Sequence, residues 1–356
     1  MVISKILLSF LLLAVLSLAF PMHADGREYT HTLAAGSRWG KGRSSNITNT
    51  VNKTSTLALE LGSRPGKCSG RPKLYRKAWH TLTATERKAY IDAELCMMKL
   101  PARLTSINPA VRNLFDDMQA VHQIQSDHIH SSGHFLPFHR YHMWAHETLL
   151  REACGYTGAQ PFWEEQQDAG KFALSPIFSP ETGFGSATGT GEDSCVSDGP
   201  FAGMMLSVGP GYSNQFHCLS REVNETASLM SAKVNVDACL QLPTFGKSWP
   251  CIENLPHRGG HNGVMGEMSN AVSSPGDPLF YLHHTYIDKL WWEWQSQDLN
   301  SRLTQIAGMT TSRKPATGWV LATLNDTLTL HGLVRDLRIS ELMDIQSDLL
   351  CYDYVL

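Results

Sequence analysis

The sequence carries little net charge of either sign. Its 30 Lys and Arg residues nearly balance 33 Asp and Glu residues, which leaves a formal charge of −3 at pH 7 and a pI near 6.6. Nucleic acids and anionic membranes attract strongly basic surfaces, so we expect neither as a partner. A small, uncharged or weakly charged molecule fits this composition better.

The sequence also lacks a Cys-x-x-Cys pair, which argues against a zinc ribbon. Its eight cysteines are spread from Cys68 to Cys351. In a secreted chain an even number of this size suggests up to four disulfides, each stabilising by roughly 2–4 kcal/mol. Spacing alone does not define which cysteines pair.

The N-terminus has the features of a secretory signal. Lys5 precedes an apolar run over residues 6–20 that is too short to span a bilayer comfortably, and the small residues Ser17 and Ala19 suit signal-peptidase cleavage. We predict a signal peptide over residues 1–19 and therefore a secreted, extracellular protein.

No internal repeat or charged linker divides the remainder of the chain. Residues 36–70 are rich in Ser, Thr, Gly and Asn, so residues 20–70 are predicted to be a glycosylated, poorly ordered lead-in. Residues 71–356 are long enough for one catalytic domain with one core. Four Asn-x-Ser/Thr sequons fit an extracellular glycoprotein: Asn46, Asn52, Asn224 and Asn325.

Helices dominate the expected structure. A capping box formed by Thr83 and Glu86 predicts a helix that ends before Pro101. Further helices are predicted from Pro109, from Pro137 to just before Gly155, and from Asp277 with Pro278 in its first turn. Between residues 164 and 256 helical periodicity is lost, except over residues 223–234, which indicates long loops that shape a site. The fold class is mainly α.

Histidine is concentrated in two short windows. Seven of the 16 histidines lie between His122 and His146, and four lie between His257 and His284. Neutral imidazole is a common ligand of transition metals, and this distribution is far from random scatter. A single histidine is more often structural than a ligand, but two matched sets favour a metal site.

Spacing divides these histidines into two sets of three. His122, His130 and His139 come from a helix, the loop after it and the next helix; His257 and His261 lie one helical turn apart, and His284 comes from the following helix. Neither set includes the Glu-x-x-His motif of di-iron bundles, and each leaves a coordination position open, so copper or zinc remains. A mononuclear zinc site built on His257 and His261 is the alternative.

Longer motifs around these histidines resemble a known family. They read His130-Ser-Ser-Gly-His-Phe-Leu-Pro-Phe-His139-Arg140, Glu253-Asn-Leu-Pro-His257-Arg-Gly-Gly-His261 and Asp277-Pro-Leu-Phe-Tyr-Leu-His-His284. The chain resembles the tyrosinase and catechol oxidase family of type-3 dicopper proteins, and is most similar to its short, secreted fungal members. The resemblance extends from about Leu74 to the end of the sequence.

This resemblance implies a four-helix bundle around a dinuclear copper site, with long disulfide-tied loops. His122, His130 and His139 would bind one copper ion, and His257, His261 and His284 the other. The implied reaction oxidises o-diphenols to o-quinones with dioxygen as co-substrate. We expect small phenolic substrates and a monomer or weak homodimer.

The resemblance also implies roles for residues around the ligands. Glu253 would hold a water near the metals, and Asp288, one turn after His284, would orient a ligand imidazole. His283 is expected to pack or form a hydrogen bond instead of binding metal.

Arg258 follows His257 where members that hydroxylate monophenols well often carry Asn. Weak or variable monophenol hydroxylation is therefore expected. The alternatives are a tyrosinase with full monophenolase activity and a non-catalytic dioxygen-binding dicopper protein.

Two further expectations concern features of longer or related members. His128 occupies the place from which a cysteine often forms a thioether with the second ligand, so no such crosslink is expected. No shielding domain follows the catalytic domain in this sequence, so the chain is expected to be active without proteolysis.

Overall fold

The computed structural model describes residues 68–355. Within this range the chain is mainly helical, as predicted. The helices are α1 Ala84–Met97, α2 Leu114–Ile129, α3 Phe135–Cys154, α4 Glu165–Asp168, α5 Glu225–Ser228, α6 Lys233–Leu240, α7 Phe245–Ile252, α8 Arg258–Val264, α9 Leu279–Ser296, α10 Leu299–Arg302 and α11 Ile339–Leu342. The predicted signal peptide and nearly all of the predicted lead-in lie outside the described residues.

Within residues 68–355, six short strands form three two-stranded sheets. The strands are β1 Leu74–Lys77, β2 Met205–Leu206, β3 His217–Cys218, β4 Thr327–Leu328, β5 Leu337–Arg338 and β6 Tyr352–Val355. Strands β1 and β6 pair in parallel, with Leu74 opposite Tyr352, whereas β2–β3 and β4–β5 are antiparallel. Among the described residues, no helix is both long and apolar enough to cross a membrane.

Helix α1 has the predicted capping box. The Thr83 side chain accepts a hydrogen bond from the backbone N–H of Glu86, and the Glu86 carboxylate accepts one from the backbone N–H of Thr83. The reciprocal bonds satisfy two amide groups that the first helical turn leaves free.

Helix α2 starts at Leu114, so the predicted start at Pro109 is wrong. The cap is Asn113, whose side-chain oxygen accepts a hydrogen bond from Asp116 N at 2.9 Å. Before it, the Leu114 amide bonds to Leu100 O at 3.0 Å, which holds the preceding residues as a loop against the end of α1. A local Asn cap therefore outweighs the preference of proline for a first turn.

The boundaries of helices α3 and α9 lie closer to their predicted positions than the start of α2 does. Helix α3 begins at Phe135, two residues before Pro137, and ends at Cys154, where Gly155 forms the C-terminal cap with a φ of 68°. Helix α9 begins at Leu279, whose amide donates to Asp277 Oδ1 at 2.9 Å. The Asp277 carboxylate thus satisfies the first amide of α9, although the N-cap position itself is Pro278, and the carboxylate is also held by two bonds of 2.7 Å from Arg221.

Disulfides tie together the long loops and the chain termini of the described part. All eight cysteines are paired: Cys68–Cys351, Cys96–Cys154, Cys195–Cys218 and Cys239–Cys251. The expectation of four disulfides is confirmed, and no cysteine remains for a thioether. The helix predicted over residues 223–234 is interrupted: α5 ends at Ser228 and α6 begins at Lys233.

Candidate metal centre

The first histidine set lies where α2 ends and α3 begins. His122 is on α2, His130 is its C-terminal cap, and His139 is on the second turn of α3. The ring centroids are 4.9 Å apart for His122 and His130, 5.5 Å for His122 and His139, and 5.4 Å for His130 and His139. The three side chains can place one nitrogen each around a single ion.

The second set comes from two successive helical segments and from α9. His257 closes a π-helical turn, Glu253–His257, that leads directly into α8, where His261 lies one turn later. The His257 ring is 4.5 Å from His261 and 5.1 Å from His284, between centroids. His283 has a nitrogen within the same 4.8 Å group.

The two sets face each other. The rings of His139 and His284 are stacked with centroids 4.1 Å apart, and those of His130 and His257 are 6.3 Å apart. Phe280 packs against His284 at 4.2 Å. Six imidazoles therefore surround one shared space, in an arrangement that can hold two ions side by side.

Hydrogen bonds fix how most of these rings are turned. Five of the six donate an Nδ1–H to a backbone carbonyl: His122 to Val272, His130 to Ser126, His139 to Phe135, His257 to Glu253 and His261 to Met268, at 2.6–3.1 Å. This leaves Nε2 as the free lone pair. His284 differs, because its Nε2 lies 3.2 Å from His261 Nε2 and its Nδ1 has no partner among the described residues.

The free nitrogens fit a metal. The buried Nε2 atoms of His122, His139 and His257 have no hydrogen-bond partner within the described chain. A buried, unpaired polar atom costs free energy, and ligation of a metal removes that cost. Burial lowers the pKa of all six imidazoles, to about 4 for His130, so each is neutral and able to ligate. Neutral nitrogen donors without a carboxylate suit copper.

His283 has a protein partner as well as a place near the second set. Its Nδ1 lies 2.5 Å from Glu165 Oε1, and burial raises the pKa of Glu165 well above its ordinary value. A side chain at Gly260 would collide with this pair, because its Cβ would lie 2.2 Å from His283 Nδ1. The expected hydrogen bond of His283 is present. Sequence reasoning missed Glu165, because no sequence motif marks this residue apart from its position after Glu164.

Glu253 lies between the two histidine sets. Its Oε1 accepts a hydrogen bond from the Ser131 amide at 2.7 Å, so the second-set segment is tied to the loop that follows His130. Burial raises the pKa of Glu253 to about 7, against opposing contributions from the Ser131 amide and Arg258. Arg258 is exposed, and its guanidinium group forms no hydrogen bond or ion pair with another described residue.

Asp288 does not have the predicted contact with a ligand imidazole. Its carboxylate accepts hydrogen bonds from Arg140 at 2.5 Å, from Arg76 at 3.3 Å and from the hydroxyl groups of Tyr352 and Tyr354. The prediction was wrong because it considered only helical spacing from His284, whereas these four partners come from β1, α3 and β6. Asp288 instead joins the helices to the β1–β6 sheet.

Comparison with known proteins agrees with this geometry. The family model for the common central domain of tyrosinase matches residues 112–297, which include all six histidines. A tyrosinase-like protein of Diaporthe leptostromiformis is 31% identical over 314 residues, covering 82% of this chain and 79% of that protein. The chain belongs to the tyrosinase family.

Other tyrosinase-family proteins extend the comparison. The N-acetyl-6-hydroxytryptophan oxidase of Emericella nidulans is 29% identical and covers 81% of this chain and 94% of its own length. A polyphenol oxidase variant from Thermothelomyces thermophila has a TM-score of 0.73 and 26% identity, covering 82% of this chain and 91% of that structure. The chain is thus a copper-dependent oxidoreductase of the polyphenol oxidase class with the type-3 copper helical-bundle fold, as predicted.

Proposed function

We propose that this chain is a secreted polyphenol oxidase that oxidises o-diphenols to o-quinones with dioxygen and hydroxylates monophenols weakly or variably. The observation that carries the proposal is the pair of facing histidine sets with their buried, unpartnered Nε2 atoms. The tyrosinase family acts on small phenols through a dinuclear copper site and dioxygen.

In this proposal His122, His130 and His139 hold one copper ion, and His257, His261 and His284 hold the other. His283 is not a copper ligand in this proposal and keeps its hydrogen bond with Glu165. When bound, copper supplies electron transfer between the phenol and dioxygen. The protein contributes fixed, neutral ligands in surroundings made apolar by rings such as Phe280.

Glu253 is proposed to bind a water or a substrate hydroxyl. Only one of its oxygens receives a hydrogen bond from the described protein, that of Ser131 N, so the other can accept one from a small molecule. A phenol with an ordinary pKa of about 10 must lose its proton to react, and it needs help from a base. Arg258 provides no amide to assist Glu253, which supports the preference for diphenols.

A monophenolic substrate is the second candidate, since one relative is an oxidase of N-acetyl-6-hydroxytryptophan. That molecule carries a single phenolic hydroxyl group on an indole. Full tyrosinase activity on such compounds is therefore the alternative to diphenol preference.

Secretion has independent support. Four disulfides are typical of an oxidising compartment, and the sequon residues Asn224 and Asn325 are both exposed. We propose residues 1–19 as signal peptide, residues 20–70 as a glycosylated lead-in and residues 71–356 as the catalytic domain.

The test combines metal analysis with oxygen uptake on catechol and tyramine. The wild type should hold two copper ions per chain and oxidise catechol faster. His284→Ala should lose one ion and its diphenol oxidation, whereas the exposed His80→Ala should lose neither. Full copper content and activity in His284→Ala, or a preference for zinc over copper, would refute the assignment.

A further inference from the structure

Five of the six proposed ligands donate to a backbone carbonyl, and two of these five are oriented differently from the other three. His130, His139 and His257 each donate to the carbonyl four residues earlier in their own helical segment. His122 and His261 donate instead to carbonyls outside their helices, those of Val272 at 3.0 Å and Met268 at 2.6 Å. One of these histidines belongs to each set, and both acceptors lie in one short stretch of chain.

We call residues 266–274 the carbonyl segment. It lies between α8 and α9 and begins with a 3-10 turn, Gly266–Ser269. Asn270 folds the segment back by accepting hydrogen bonds from the amides of Val272 and Ser273 at 3.1 and 3.2 Å. The positions of its carbonyl groups therefore depend on what anchors the segment to the surrounding helices.

The anchor is Glu267, which is 3% exposed. Its Oε1 accepts a hydrogen bond of 3.3 Å from Gln119 Nε2, and the same amide donates to Ser273 O at 2.8 Å. Gln119 lies on α2 one turn before His122. Glu267 and Gln119 thus connect both ends of the carbonyl segment to the helix that carries the first histidine.

His217 completes the anchor from the other side. Its Nε2 lies 3.0 Å from Glu267 Oε2 and its Nδ1 lies 2.7 Å from Gln215 O. Both ring nitrogens face acceptors, an arrangement that favours the doubly protonated imidazolium. Glu267 is thereby held between the Gln119 amide on α2 and the His217 imidazole on β3.

We propose that Glu267 is a positioning residue for both copper sites, because it fixes the segment whose carbonyls orient His122 in one site and His261 in the other. This inference rests on the proposed function. The Glu267 side chain forms hydrogen bonds with Gln119 and His217 but, among the described residues, with none of the six proposed ligands. It acts through the direction in which two Nε2 lone pairs point.

A geometric role predicts that shape matters more than charge at this position. In Glu267→Gln the side-chain oxygen can still accept the hydrogen bond from Gln119. The side-chain amide N–H faces His217, whose imidazole can accept this hydrogen bond once the ring has released one proton. Glu267→Ala removes both side-chain bonds, so this end of the segment loses its side-chain links to α2 and β3, while Gln119 still holds Ser273 O. Loss of a hydrogen bond that orients a ligand typically weakens metal binding by about 10- to 100-fold.

The experiment measures copper affinity of the metal-free, folded protein by competition with a chelator, and follows folding by circular dichroism. Glu267→Ala should bind copper about 10- to 100-fold more weakly than wild type, and Glu267→Gln should stay within about threefold of it. Asp198→Ala is the matched control, because Asp198 also holds a loop amide, Ser186 N at 2.6 Å, but no ligand-orienting segment. Its affinity should equal that of wild type.

Single-set backgrounds test whether both sites depend on Glu267. His284→Ala leaves the first set intact and His139→Ala leaves the second. Adding Glu267→Ala to either background should weaken the binding of the one copper ion that remains. If Glu267→Ala does not fold, Gln119→Met tests the same anchor, since it removes the donor to Glu267 and Ser273 at similar volume; it should also weaken copper binding, and unchanged affinity would overturn the proposal.

Three other results would overturn it: unchanged affinity in Glu267→Ala, an equal loss in Glu267→Gln, which would indicate a role of charge, and an effect in only one background. Failure of the proposed function looks different. In that case the wild type itself would not bind two copper ions.

Discussion

Replacing Asp288 by alanine tests the connection between the helices and the β1–β6 sheet. The carboxylate neutralises Arg140 and shares Arg76 with Glu147, and both arginines are completely buried. Without it, Arg76 keeps Glu147 at 2.7 Å, but Arg140 retains only the neutral acceptors Gln295, Leu342 and Met343. One buried guanidinium would therefore lose its counter-charge.

Removal of one partner from a buried ion pair costs about 3–5 kcal/mol, because the remaining charge stays out of water. For a domain of this size about 1 kcal/mol lowers Tm by roughly 2–4 °C, so Asp288→Ala should melt about 6–20 °C lower. The exposed Lys88–Asp92 pair is the control, and Asp92→Ala should cost less than about 0.5 kcal/mol.

The assay is thermal unfolding of metal-free protein, so that metal binding does not add to stability. Copper content is then measured at a temperature where both proteins remain folded. Asp288→Ala should keep two copper ions per chain. A melting point within about 2 °C of wild type would refute the energetic argument. Loss of copper from a folded Asp288→Ala variant would instead support the role in ligand orientation that the sequence predicted for Asp288.

Two further predictions concern Arg258 and His217. Arg258→Asn should raise the rate on tyramine relative to catechol by giving Glu253 a neighbouring amide, as measured by initial rates; no gain on tyramine would count against this role. Burial lowers the pKa of His217, but hydrogen bonds to Glu267 and Gln215 outweigh it and leave the pKa raised. Stability from this pair should thus be present at low pH and lost as pH rises through the raised pKa. In thermal melts at pH 5, His217→Gln should be less stable than wild type by up to about 1 kcal/mol. A stability difference that persists at pH 9 would contradict the reasoning.

Sequence reasoning succeeded where the signal is local. The Thr83 capping box and the helix–loop–helix placement of His122, His130 and His139 follow from spacings of a few residues. It failed at the start of α2, because Asn113 competes locally with Pro109 and only the bond from Leu114 to Leu100 decides between them.

Contacts between distant parts of the chain were beyond such reasoning. Asp288 meets Arg76 across 212 residues, and Gln119 meets Glu267 across 148. Neither contact has a periodic pattern, since each is defined only when helices and strands pack. Likewise, His283 and Glu165 are recognisable as a pair only because α4 folds against α9.

The disulfide map makes the described chain a closed covalent ring. Cys68 and Cys351 join its two ends across 283 residues, beside the β1–β6 pairing. Cys96–Cys154 lies wholly before residue 155, and the other two disulfides lie wholly after residue 194. A single peptide cleavage between residues 155 and 194 would therefore yield two pieces, the first with one internal disulfide and the second with two, and each with one complete set of three histidines. These pieces would remain covalently linked, so each half of the dinuclear centre would keep its partner.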